Sequence, residues 1–142
     1  MASIKMIFPY IVAFILVAVC PVTAQSECDC THGTGGHHHS QAEVTNAFDE
    51  AKKHQANTVG KATEVKGKFP HYFGNGEKLA FPAGCSKPDL FEFPLIHGGT
   101  LFNNTSDSGT DRVVYNEKTG AFCGCMTHTG ASTPNGFVLC KN

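Results

Sequence analysis

Glu92 stands between two phenylalanines in the run Leu90-Phe91-Glu92-Phe93. If that run is a strand, its side chains alternate. The carboxylate then points opposite to Phe91 and Phe93, onto the face away from the core. Arg112 heads Arg112-Val113-Val114-Tyr115, His128 ends Met126-Thr127-His128 just before a turn, and His71 follows Phe69-Pro70. A carboxylate, a guanidinium and two imidazoles on neighbouring strands can move protons and clamp a phosphate-like anion. Each residue alone has a plainer reading: a solvated strand Glu, a surface pair of Arg112 with Asp111, a histidine at a loop boundary. Single matches of this kind are weak, so the weight rests on the set and its order.

The elements that would position the set are legible. Ser40-Gln41-Ala42-Glu43 reads as a capping box, with Ser40 as N-cap and Glu43 reaching back to it. Ala42, Val44, Ala47, Phe48 and Ala51 then recur at helical spacing, predicting one amphipathic helix of three to four turns. After Gly60 the chain breaks into short apolar or alternating pieces separated by Gly, Pro, Asn and Asp. Candidate strands are Phe69–Phe73, Leu79–Phe81, Leu90–Ile96, Arg112–Asn116, Ala121–His128 and Gly136–Cys140. A helix followed by a run of strands predicts an α+β fold, with the helix packed on an antiparallel sheet.

The N-terminus reads as an address. Lys5 precedes an apolar run, Met6–Val19, and Val22-Thr23-Ala24 supplies the small residues of a cleavage site. The run is too short to span about 30 Å of hydrocarbon, which favours a signal peptide at 1–24 over a membrane anchor. Residues 25–142 form a single domain bound for an oxidising compartment, where Cys28, Cys30, Cys85, Cys123, Cys125 and Cys140 are expected in disulfides. Zinc binding by Cys28-Asp29-Cys30 and Cys123-Gly124-Cys125 is the competing reading, but the pairs lack C-x₂-C spacing. His37-His38-His39, beside Gly33, Gly35 and Gly36, reads as a solvated loop with incidental metal affinity at most. The net charge of the whole chain is −1, which excludes a nucleic-acid binder that relies on bulk positive charge.

In combination the blocks resemble the guanyl-specific secreted fungal ribonucleases, of the microbial ribonuclease fold. The matching stretches are Phe69-Pro70-His71, Phe73-Gly74-Asn75-Gly76-Glu77, Phe91-Glu92-Phe93-Pro94-Leu95 and Thr110-Asp111-Arg112-Val113-Val114-Tyr115-Asn116-Glu117, then Thr127-His128-Thr129-Gly130-Ala131-Ser132 and Gly136-Phe137-Val138-Leu139-Cys140. The resemblance covers residues from about 60 to 142, and the N-terminal third only by layout. It implies a cyclising cleavage of single-stranded RNA, with Glu92 as general base and His128 as general acid. Arg112 matches the residue that steadies charge on the phosphoryl oxygens. His71 matches a histidine that supports the carboxylate, and Phe137 an aromatic packed by the phosphate. No metal or other cofactor is implied.

Base choice is implied for Phe73–Glu77. Guanine offers N1–H and N2–H₂ side by side, and Glu77 matches the carboxylate that accepts both. Phe73 matches a stacking aromatic and Asn75 a loop residue whose backbone reads the base. An unpaired base is required, so the expected partner is single-stranded RNA. Phe69 stands where the family usually has Tyr, removing a hydroxyl contact to phosphate. Gly76 stands where some members have a second aromatic, and the loop before Phe137 has an extra residue with Pro134 in it. Cys30–Cys140 and Cys85–Cys123 resemble bridges of the family, while Cys28 and Cys125 receive no partner from it.

A ribotoxin-like enzyme and a non-catalytic secreted effector that binds RNA or a host protein are the alternatives. The first needs long lysine-rich insertions that this chain has little room for, and the second commonly loses the acid or the base. Asn103-Asn104-Thr105-Ser106 holds two overlapping glycosylation acceptors, Asn103 and Asn104. A secreted monomer is expected, with no membrane association and no obligate protein partner.

Overall fold

The structure is a computed structural model that describes residues 25–60 and 67–142. The expected signal peptide at 1–24 lies outside the described residues. Helix α1, Gln41–Lys53, follows a short antiparallel pair, β1 (Cys28–Asp29) and β2 (His38–His39). A five-stranded antiparallel sheet comes next, in the order β3-β4-β5-β6-β7: His71–Tyr72, Leu90–Pro94, Asp111–Asn116, Phe122–Thr127 and Val138–Leu139. This is the α+β architecture that the pattern predicts. No described helix is long and apolar enough to cross a membrane.

Helix α1 starts where its cap requires. Ser40 N donates to Glu43 Oε2 at 2.8 Å, and Glu43 N donates to Ser40 Oγ at 3.4 Å, which satisfies two backbone donors of the first turn. Val44, Ala47, Phe48 and Ala51 form the buried stripe, whereas Ala42 is exposed. That stripe packs on Phe93, Val113 and Tyr115 of β4 and β5. The opposite face of the sheet has its own apolar cluster, with Phe73, Leu90, Val114 and Met126 at its centre. Glu92 and Arg112 therefore do not project into solvent as the alternation predicts: they are 6% and 5% exposed.

Two sequence expectations need correction. Leu79–Phe81 is not a strand, because Asn75 captures Leu79 from both sides: its Oδ1 accepts from Leu79 N and its Nδ2 donates to Leu79 O. The His37–His39 run is not a solvated loop. His38 and His39 pair with β1, and His39 is fully buried because Asp111 offers it an acceptor inside the protein.

Three disulfides join Cys28 to Cys125, Cys30 to Cys140 and Cys85 to Cys123. Cys123 and Cys125 would share a face of a regular strand, yet their partners lie on opposite faces of the sheet. The register explains this. Val114 faces Gly124 but Tyr115 faces Phe122, so Cys123 is an extra residue, a β-bulge that turns the two thiols apart. Gly124 takes the strain with φ +128°, a conformation that side chains rarely adopt. Gly124→Ala meets no neighbouring atom but must leave that conformation. It should lower stability by about 1–2 kcal/mol, read as a shifted urea midpoint, and an unchanged midpoint would mean the bulge does not need its glycine.

Candidate active site

Strand register brings the chemistry together. His71 of β3 faces Glu92 of β4, Glu92 faces Val114, and Arg112 lies two residues before Val114 on the same face of β5. His71 Nε2 and Glu92 Oε1 are 2.6 Å apart. On the other side of the ring, Nδ1 is 2.9 Å from Lys68 O. A carbonyl only accepts, so Nδ1 carries a proton and Nε2 faces the carboxylate. Burial disfavours a charged His71, but the Glu92 hydrogen bond and charge outweigh it, and the pKa is raised above the usual 6.5.

Glu92 has a second oxygen. Among the described residues, Oε2 is buried, accepts no hydrogen bond, and lies 3.8 Å from Arg112 Nε, which is likewise without a partner. The remainder of the guanidinium is firmly held. Nη1 donates to the carbonyls of Ser108 (2.8 Å), Gly109 (3.0 Å) and Asp111 (2.8 Å), and Nη2 to Ser108 Oγ at 3.3 Å. Burial pulls the Arg112 pKa down while Glu92 and Asp111 pull it up, and an arginine stays charged throughout. Its Nε is buried and has no acceptor among the described residues. The pairing of Arg112 with Asp111 at the surface, which the sequence invites, does not occur: Asp111 is 1% exposed and its carboxylate turns to His39 and Thr110.

His128 follows β6, with β5 between it and Glu92. At strand spacings near 4.8 Å, the two strands lie about 10 Å apart, wide enough for a phosphodiester between their side chains. His128 Nδ1 is 2.7 Å from Gly136 O and therefore carries a proton, and Nε2 makes no hydrogen bond among the described residues. The ring stacks on Phe137 with centroids 3.8 Å apart.

Phe137 also joins this group to the Phe73–Glu77 loop. Its ring meets the edge of Phe73 at 5.6 Å, and its N–H donates to Glu77 Oε1 at 3.2 Å. Glu77 is exposed, with its carboxylate at the loop's rim. Asn75 has φ +43°, and its side chain braces Leu79 through both its oxygen and its nitrogen.

The two other aromatics sit deeper than the resemblance implies. Phe73 is 6% exposed and packs between Phe81 and Phe137, leaving little ring surface to stack on a base. Phe69 is 3% exposed. It stacks under His71 at 4.3 Å, with the Arg112 guanidinium 5.2 Å from its ring. It supports those two groups from below. The carbonyls of Lys68, Ser108, Gly109 and Gly136, which orient the three basic side chains, escape sequence reasoning because any residue type supplies a carbonyl.

The raised His71 pKa has a sign that can be measured. Its pairing with Glu92 stabilises the fold fully below the unfolded-state value near 6.5 and fades as pH rises through the higher folded-state value. Urea unfolding from pH 5 to 9 should show stability falling over that window, and His71→Gln should remove that part of the fall. A wild-type curve that rises there would contradict the protonated pair.

Comparison with known proteins gives the context of this geometry. The chain is 38% identical over 107 residues to guanyl-specific ribonuclease U1 of Ustilago sphaerogena, spanning 75% of this chain and 91% of that protein. A solved ribonuclease from Hericium erinaceus is 28% identical, with a TM-score of 0.48, covering 82% of this chain and 99% of its own. The ribonuclease family model matches residues 25–141, nearly everything after the apolar N-terminal run, and the chain belongs to the ribonuclease family.

Proposed function

We propose that this ribonuclease is a guanyl-specific endonuclease of single-stranded RNA, cutting 3′ of guanosine through a 2′,3′-cyclic phosphate without a metal. The observation that carries the reading is Glu92 Oε2, an unbonded carboxylate oxygen 3.8 Å from an unbonded arginine N–H. Glu92 Oε2 takes the proton of the ribose 2′-hydroxyl, and the 2′-oxygen attacks the adjacent phosphorus. The bond to the next nucleotide's 5′-oxygen breaks, and His128 Nε2 gives that oxygen a proton. Because Nδ1 is committed to Gly136, His128 must start this step as the imidazolium. Arg112 Nε meets charge on the phosphoryl oxygens, where a fixed donor excluded from water is most effective. Water then reverses the roles and opens the ring to a 3′-phosphate.

His71 orients Glu92 through Oε1, and Phe137 fixes the His128 ring. The rim position of Glu77 supports its reading of guanine: the two donors of guanine would replace the bond from Phe137 N. Likeness to a guanyl-specific relative adds to this reading. Three disulfides support passage through an oxidising compartment, hence secretion. The protein acts as a monomer, with RNA as its partner.

In a dinucleotide-cleavage assay, kcat/KM should follow a bell against pH, its rising limb set by the carboxylate and its falling limb by the histidines. His128→Ala should lose activity roughly 10²–10⁴-fold, and Glu92→Ala less, since His71 can act as the base. Glu77→Ala should raise KM for guanylyl substrates and flatten base preference, because its hydrogen bonds are made to guanine alone. Guanine preference kept in Glu77→Ala but lost in Glu92→Ala would reverse the two carboxylates.

Asn103 and Asn104 are both exposed, and Asn104 Oδ1 also holds Gly60 N at 2.9 Å. Neighbouring acceptors obstruct each other, so the secreted protein should carry at most one glycan here. Mass measured before and after deglycosylation tests this, and a shift of two glycans removes it.

A further inference from the structure

The histidine run is the sequence feature that RNA cleavage leaves unused. His39 is wholly buried, and its Nε2 lies 2.7 Å from Asp111 Oδ2. A carboxylate only accepts, so that nitrogen carries the proton. Nδ1 points the other way, is sealed from water, and has no hydrogen-bond partner among the described residues. It has no acceptor for an N–H, so what it offers is a lone pair. An imidazole that donates one nitrogen to a buried carboxylate and presents the other is oriented as metal-bound histidines usually are.

Two further donors lie beside the ring. One ligand atom from each of His39, Glu43 and His97 lies within 4.8 Å of the others. Glu43 Oε2 accepts from both Ser40 N and Ser40 Oγ, whereas Oε1 accepts from Gly98 N at 2.8 Å and retains a lone pair. The same bond holds the turn that carries His97, whose exposed ring stacks on His37 with centroids 4.6 Å apart. Cys30 also lies near His39, but its sulfur is in the bridge to Cys140.

We propose that His39 Nδ1, His97 and Glu43 form a binding site for a transition-metal dication of the Zn²⁺ type, separate from the RNA-cleaving cluster. Two imidazoles and a carboxylate suit Zn²⁺ and discriminate against the all-oxygen preference of Mg²⁺ and Ca²⁺. Tetrahedral ligands 2.0–2.2 Å from zinc sit about 3.3 Å apart. Closing from a spacing of up to 4.8 Å asks for a shift of up to about 1.5 Å, which falls mainly to the exposed His97. The remaining coordination position goes to water, since His37 Nδ1 is drawn to Asp111 Oδ2 at 3.2 Å. A bound ion would join β2, the start of α1 and the turn after β4, and through Asp111 it would brace the head of β5 beside Arg112.

The test uses the full, disulfide-intact protein, stripped of metal with a chelator and titrated with zinc chloride by calorimetry, alongside thermal unfolding. One Zn²⁺ per chain should bind, and Tm should rise with free zinc as mass action requires. His97→Ala should weaken binding at least about tenfold and abolish the zinc-dependent rise, with the metal-free Tm unchanged because the residue is exposed. His38→Ala is the control: its ring turns to Glu27, 3.8 Å away, and zinc binding should be unaffected. The proposal is overturned by no stoichiometric binding, by undiminished affinity in His97→Ala, by loss in His38→Ala, or by equal competition from Mg²⁺.

Discussion

A carboxylate and a guanidinium, each more than nine-tenths out of water, face each other across β4 and β5 at 3.8 Å without a hydrogen bond between them. Burying such groups is costly, and removing one partner of a buried pair typically destabilises a fold by about 3–5 kcal/mol. The surroundings of the pair offset that cost. Three backbone carbonyls saturate one end of Arg112, His71 engages one oxygen of Glu92, and Phe69 closes the underside. What remains unsatisfied among the described residues is one carboxylate oxygen and one N–H, 3.8 Å apart.

The sheet can hold this cluster because neither of its faces is merely solvated. Helix α1 covers one face, and the other has an apolar floor of Phe73, Leu90, Val114 and Met126 around the polar groups. That floor lowers the local dielectric around Glu92 and Arg112 and strengthens every interaction they make. The bulge at Cys123 serves both faces at once, sending one disulfide into each cluster.

Much of this was legible in residue types. The cap at Ser40 and Glu43, the stripe of Val44, Ala47, Phe48 and Ala51, and the strands around Glu92, Arg112 and Met126 follow from local pattern. Where pattern misled, the cause was tertiary. Alternation told correctly that Glu92 opposes Phe93, but not that the second face is also packed. His39 looked like part of a polar loop because its acceptor, Asp111, lies 72 residues away. Leu79–Phe81 has strand-like composition, yet one asparagine side chain four residues upstream takes its first backbone groups. Phe69 and Phe73 were visible as aromatic but not as buried, since depth depends on which neighbours close over a ring.

The order in which the disulfides connect the chain has a consequence for durability. Cys28 reaches Cys125, Cys30 reaches Cys140, and Cys85 reaches Cys123, so every peptide bond from Cys28 to Cys140 is spanned by at least one covalent crossing. A protease that nicks the molecule once anywhere in that interval releases nothing. Both pieces stay tethered, and the sheet, with Glu92 and Arg112 on adjacent strands, is held in register for as long as the bridges remain oxidised. Only a second cut between crossings, or reduction, sheds a fragment. Persistence in a proteolytic medium is therefore written into the connectivity, apart from any contribution the bridges make to folding stability.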